Sequence, residues 1–215
     1  MFYKLRRKLK VARFNRAIAE IHATPPVPVV PDSPTLVSMV GDDDVPMYVL
    51  SMKAFYRRLG RGRIVAIIAR TMPEASRAIL RQHFPGIELQ PIEEIDTGPC
   101  QRGGCWERLL YILQRSASEY VIQVDSDTLP VAEDLAEIDE CVRSGTAFTL
   151  VDGSNRRFMT LRETADATRR METDYIGVAV ERMLDRYPDC DRLRYVRGSA
   201  ALAGFPAGAV PRAFI

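Results

Sequence analysis

Apolar and polar positions alternate along this chain in short blocks, and the blocks change period. Thr35 to Val40 is an apolar run of strand length, stopped by Gly41-Asp42-Asp43-Asp44. Val45, Val49, Met52, Phe55 and Leu59 then recur at helical spacing until Gly60 and Gly62 interrupt them. Ile64 to Ala69 predicts a second strand. Met72 to Phe84, opened by Pro73, predicts a helix, and Ile87 to Ile92 a weaker third strand. After the loop Asp96 to Gly104, Trp106, Leu109, Leu110 and Leu113 predict a helix with an apolar face, which places Trp106 in the core. Tyr120 to Val124 follows as a near-continuous Val/Ile/Tyr strand, of the kind covered on both faces in a central position. Val131, Leu135, Ile138 and Val142 mark another helix, and Ala147 to Val151 another strand. Strands alternating with helices predict an α/β fold, a mostly parallel sheet flanked by helices on both faces.

The flanks read differently. Residues 1–21 predict a basic amphipathic helix, with Phe2, Leu5, Leu9, Ile18 and Ile21 at helical spacing and cations between them. His22 to Pro34 is rich in proline and predicts an extended linker. Residues 35–153 then form the α/β domain, and 154–215 a further region of different character. In that region Asn155 to Thr173 is polar and Arg-rich, Ile176, Val180, Met183 and Tyr187 look helical, and Arg194 to Val196 fits a short strand. The tail from Gly198 is rich in small residues without a regular period.

Composition changes this picture little. A hydrophobic content of 47% and a charged content of 27% over 215 residues suit a soluble globular chain with a substantial core. The formal net charge of +2 gives no case for a nucleic-acid partner. The charge is uneven, however: Lys4, Arg6, Arg7, Lys8, Lys10, Arg13 and Arg16 all precede the first acid, Glu20. Such a helix predicts either peripheral contact with an anionic membrane surface, at the inner face of the membrane, or packing on the domain or a second protomer. No apolar run approaches the roughly 20 residues of a membrane span. The four cysteines lack metal-ligand spacing, and the only histidines are His22 and His83, the latter read as structural. Scattered thiols of this kind predict a cytoplasmic location.

The chemistry concentrates at Asp125-Ser126-Asp127, where the central strand ends. Ligands of open α/β sheets lie beyond the carboxyl ends of the strands. Two carboxylates held close there repel unless a cation or proton intervenes, and a hard divalent metal is the simplest resolution. An apolar strand ending in Asp-x-Asp after several β-α units resembles the GT-A-fold, Rossmann-like glycosyltransferases and their "DxD" motif, over roughly residues 35–153. The resemblance implies transfer of a sugar from a nucleotide-diphosphate sugar to an acceptor, carbohydrate, lipid-linked or protein, with Mn2+ or Mg2+ as cofactor. It implies Asp127 as principal metal ligand and Asp125 as its helper, both catalytic, with Ser126 between them at the donor. It further implies Gly41 and Asp42 near the base and ribose, and Arg102 at the diphosphate. GT-A enzymes continue into an acceptor-binding half, so residues 154–215 read as a partial, truncated version of it. Two other readings remain. Asp125-Ser-Asp-Thr-Leu129 also resembles the opening of haloacid-dehalogenase-like phosphatases, with Asp125 as nucleophile, although that motif closes the first strand of its domain and needs a downstream lysine, and the last lysine here is Lys53. The other is an inactive nucleotide-binding remnant. A sugar nucleotidyltransferase would want a Gly-rich loop where Gly41-Asp-Asp-Asp44 stands.

Overall fold

The computed structural model describes residues 2–151 and 157–209. Residue 1 of the expected basic helix, residues 152–156, of which 155 and 156 open the expected Arg-rich stretch, and 210–215 of the tail lie outside the described residues. In chain order the principal elements are α1 (Phe2–Ala19), β1 (Thr35–Val40), α2 (Val45–Leu59), β2 (Arg63–Ile68), α3 (Glu74–His83), β3 (Glu88–Pro91), α4 (Trp106–Ser116) and β4 (Val121–Val124). Then follow α5 (Ala136–Ser144), β5 (Phe148–Leu150), β6 (Met159–Thr160), α6 (Leu161–Arg169), α7 (Ile176–Glu181), β7 (Arg194–Tyr195) and β8 (Ser199–Phe205). The chain divides into two compact units, one of residues up to 148 together with those from 200 onward, the other of residues 149–199.

The six-stranded sheet runs in the order β3-β2-β1-β4-β8-β5, with β1 to β4 wholly in the first unit. β1 pairs in parallel with both β2 and β4, β2 with β3, and β4 pairs antiparallel with β8. The period of two along each strand splits the core into two layers. Leu36, Val40, Ala66, Ile68, Ile122 and Val124 face one side, under α2 and α3. Val37, Val65, Ile67 and Val121 face the other, with Tyr111 and Ile112 of α4 against them. Helices therefore cover both faces, as the alternation predicts. α2 stops at Gly60, whose φ of 77° lets its N–H reach the Tyr56 carbonyl in a left-handed cap.

Three expectations change. The tail was expected to lack regular structure, but Ser199–Phe205 is a strand. Small side chains are what that position demands: a Cβ on Gly204 would fall 2.3 Å from Phe148 Cε1 and 2.6 Å from Tyr120 Oη. Second, α4 buries Glu107, Arg108, Tyr111, Ile112 and Ser116, while Trp106 and Leu109 remain 39% and 37% exposed. The all-apolar stripe was a poor guide because Tyr111 and Ile112, at the same spacing, take the sheet side. Third, Val131 is 91% exposed and lies outside α5, which begins only at Ala136. α1 covers most of the basic N-terminal segment, and in it Leu9, Val11 and Phe14 are exposed beside Arg6, Arg7 and Lys8.

The proline-rich segment is strapped to the domain. The Val27 N–H donates to the His83 carbonyl at 2.9 Å, and Val30 N–H to Tyr56 Oη at 2.6 Å. The Lys53 ammonium donates to Thr24 Oγ1 and to the Pro25 carbonyl, each at 2.6 Å. Burial, with Arg57 nearby, pushes the Lys53 pKa down. Those oxygens replace the water that Lys53 gives up.

In the second unit β6 pairs antiparallel with β7, and α6 opens with a complete capping box between Thr160 and Glu163. α7 is short, and Ile176, Val180, Met183 and Tyr187 are all exposed.

Candidate active site at the carboxyl edge of the sheet

The carboxyl ends of β1, β2, β3 and β4 lie along one edge because all four strands are parallel. Gly41 and Asp42 leave β1 there, Arg70 follows β2, and Asp125 to Asp127 leave β4, the strand next to β1. The edge is where the crossovers of an α/β sheet expose backbone and side chains to a ligand.

Asp125-Ser126-Asp127-Thr128 is a tight turn closed by the Thr128 N–H on the Asp125 carbonyl at 3.1 Å. The turn is tied on two sides. The Asp125 N–H donates to the Ala201 carbonyl of β8 at 2.8 Å, and Thr128 Oγ1 donates to the same carbonyl at 3.1 Å. Ser51 Oγ of α2 donates to the Thr128 carbonyl. Ser126 and Asp127 are thus at the tip, Ser126 half-buried and Asp127 exposed. Asp125 is half-buried, and Arg108 Nη1 donates to its Oδ1 in an ion pair. Arg108 is the buried partner, its side chain 10% exposed against 29% for Asp125.

Arg108 and the Thr128–Ser51 tie were not anticipated from sequence. Arg102 was expected at the diphosphate; it is exposed, and its guanidinium donates to the Ile95 carbonyl at 3.1 Å. The available signal was the spacing of Arg108, Ile112 and Ser116, a helical stripe with a charge at one end. Beside Arg108, Glu107 Oε1 accepts the Gly103 N–H at 2.8 Å and closes the Gly-rich loop onto α4, while its Oε2 is buried without a partner. Gly41 and Asp42 are exposed. Asp42 accepts Ser76 Oγ at 2.5 Å, which links the turn after β1 to α3. At the end of β2 the Arg70 N–H lies 3.0 Å from both oxygens of Glu93, and this contact holds the Glu93 carboxyl below its usual range.

The described residues contain no group of three His, Cys, Asp or Glu side chains arranged to hold a metal ion. The turn offers two carboxylates, one of them shared with Arg108. That donor set fits a hard cation of the Mg2+ type, which binds through one or two carboxylates and takes its remaining ligands from substrate phosphates and water.

No protein-family model matches this chain, and no curated protein matches it by sequence. Its fold is matched among solved structures. WbbM, a bifunctional glycosyltransferase in its apo form, superposes with a TM-score of 0.51 at 15% identity, over 84% of this chain and 32% of its own. The galactosyltransferase LgtC, in complex with donor and acceptor sugar analogues, gives 0.48 at 14% identity, over 82% of this chain and 59% of its own. Mouse xyloside xylosyltransferase 1, apo form, gives 0.45 at 11% identity, over 86% and 69%. This chain therefore spans about a third of the length of WbbM. The sheet order, the parallel strands and the superposition on WbbM together define a GT-A-like, Rossmann-like fold. At these identities the likeness is one of fold.

Proposed function

We propose that this chain is a glycosyltransferase that binds a nucleotide-diphosphate sugar at the carboxyl edge of β1 and β4 and transfers the sugar to an acceptor. The observation that carries the reading is the fixed turn Asp125–Thr128, which holds two carboxylates at the end of a central strand in a GT-A-like sheet. Cleavage of the sugar–phosphate bond leaves a nucleoside diphosphate, and a divalent ion bound with it supplies Lewis-acid stabilisation of that growing negative charge. Asp127, exposed at the tip, is the group that reaches such an ion and its diphosphate. Asp125 is oriented by Arg108 and offers its second oxygen. Ser126 lies between them at the donor, Gly41 and Asp42 border the base and ribose, and Arg102 borders the diphosphate. Mn2+ or Mg2+ is the ion of choice for these hard oxygens.

The four cysteines are free thiols, in keeping with a reducing compartment such as the cytoplasm. No helix among the described residues is long and apolar enough to cross a membrane. The phosphatase reading loses ground on topology. Its nucleophile closes the first strand of a domain, whereas Asp125 follows β4, after three strands of the same sheet.

The test is release of nucleoside diphosphate from UDP-, GDP-, CDP- and ADP-sugars with Mn2+, in wild type and Asp127→Ala. Release from one donor, lost in the variant while its circular dichroism is unchanged, supports the reading. Release that persists in Asp127→Ala refutes the assignment of the site.

A further inference from the structure

We propose that the unit formed by residues 149–199 carries a second, separate pocket for a small molecule bearing an oxyanion, a carboxylate or a phosphate monoester. A cavity of about 450 Å3 lies among β6, α6, α7 and β7, with Arg157, Arg197, Glu181, Tyr195, Met159 and Met171 in its wall. That volume lies within the range of small-molecule sites.

The polar groups of the wall are built rather than incidental. Glu181 is buried, and Arg197 approaches it with two nitrogens, Nε at 2.8 Å from Oε1 and Nη2 on Oε2. Tyr195 Oη donates to the same Oε1 at 2.8 Å. Burial pushes the Glu181 carboxyl up, but the bonds from Arg197 and Tyr195 more than offset it and leave the group ionised, below its usual range. The carboxylate is therefore spent on its neighbours and offers no seat to a cation.

What remains are donors. Arg197 keeps Nη1 free of those bonds, and no hydrogen bond or ion pair with a described residue occupies the exposed guanidinium of Arg157. Glu163, whose carboxyl feels Arg157, is committed to the capping box at the start of α6. The hydroxyls of Thr164 and Thr168 turn back to the carbonyls of Thr160 and Thr164, at 2.9 and 2.8 Å, and add no donors to the cavity. Two guanidinium groups with free N–H edges are the usual recognition device for carboxylate and phosphate oxygens. Met159 and Met171 supply polarisable, adaptable apolar walls for the body of the ligand. This pocket stands on its own residues and does not depend on the sugar-transfer reading.

The experiment is calorimetric titration of the full chain at low ionic strength, without divalent metal, with glucuronate, glucose 1-phosphate, inorganic phosphate and neutral glucose. Saturable binding of glucuronate or glucose 1-phosphate, with none of glucose, is expected, and the arm that binds names the anion. Arg157→Ala should weaken that binding about tenfold, the loss of one charge-assisted contact, and Arg157→Lys should restore part of it. Arg157 is exposed, so the melting temperature of Arg157→Ala should match wild type, whereas Arg197→Ala would strand the buried Glu181 charge. Asp127→Ala should bind the probe as wild type does, which separates this pocket from the proposed donor site. Equal binding by Arg157→Ala, or equal binding of glucose, overturns the proposal. So does the absence of saturation with every anion, or binding of inorganic phosphate alone, which would mark an adventitious ion only.

Discussion

The Arg108–Asp125 pair makes a quantitative prediction because its two partners are unequally buried. Removing one member of a buried pair costs about 3–5 kcal/mol when the survivor has no access to water. In Asp125→Ala the survivor is Arg108, 10% exposed, and the cost should approach the lower end of that range, about 3 kcal/mol. In Arg108→Met the alkyl stem still packs, and the survivor is Asp125, 29% exposed and able to recover part of its hydration. The cost should then be nearer 1–2 kcal/mol, since water takes over part of the role of Arg108. The double variant leaves no stranded charge, so its loss should fall short of the sum by about 1–2 kcal/mol. Urea unfolding followed by circular dichroism measures all three differences, with an unchanged slope confirming comparable unfolding. For a chain of this size each kcal/mol corresponds to about 2–4 °C in melting temperature. Additivity within about 0.5 kcal/mol, or a larger loss in Arg108→Met than in Asp125→Ala, would refute the pairing.

Other consequences are as direct. Gly204→Ala should destabilise by about 1–3 kcal/mol, because its Cβ overlaps Phe148 and Tyr120; a melting temperature equal to wild type would show that β8 is not packed as described. Ser51→Ala removes the tie from α2 to the Thr128 carbonyl, and should cost about 1 kcal/mol in urea unfolding while weakening nucleotide binding more than the fold. Burial, together with Lys53 and His22, holds the His83 pKa below its ordinary value, so the unfolded state binds the extra proton. Stability should therefore fall as pH drops from about 6.5 through the lower folded value, and His83→Leu should flatten that part of the melting-temperature profile. Thr160→Ala opens the capping box of α6 and should cost about 1 kcal/mol, read as faster amide exchange in α6 with the sheet unaffected.

Much of the fold was legible because its strands are buried on both faces and its helices are long enough to show their period. Thr35–Val40 was bounded without error, since Gly41 and three aspartates stop it. What escaped depended on neighbours. Ser199–Phe205 is rich in Ala and Gly and has no pattern of its own; it becomes a strand because β4 supplies the ladder and Phe148 and Tyr120 leave room only for a glycine at 204. The buried face of α4 escaped because a residue type ranked by hydropathy alone would not place Glu107 and Arg108 inside and Trp106 outside. At the site, the aspartates could be read from a short motif at a strand end. Their supports Arg108, Ser51 and Ala201 lie 17 to 77 residues away in sequence from the groups of the turn that they hold, and only the tertiary fold brings them together.

Binding tests the proposed metal-dependent nucleotide site at Asp125 and Asp127 more closely than turnover does. Thermal unfolding of wild type and Asp127→Ala should be followed with UDP, GDP, CDP and ADP, each with and without Mn2+. A ligand at about 100 times its dissociation constant adds roughly 2.7 kcal/mol to stability, an unmistakable shift in melting. A shift with one nucleotide, dependent on Mn2+ and absent from Asp127→Ala, is expected. No shift with any nucleotide, or the same shift in the variant, would contradict it.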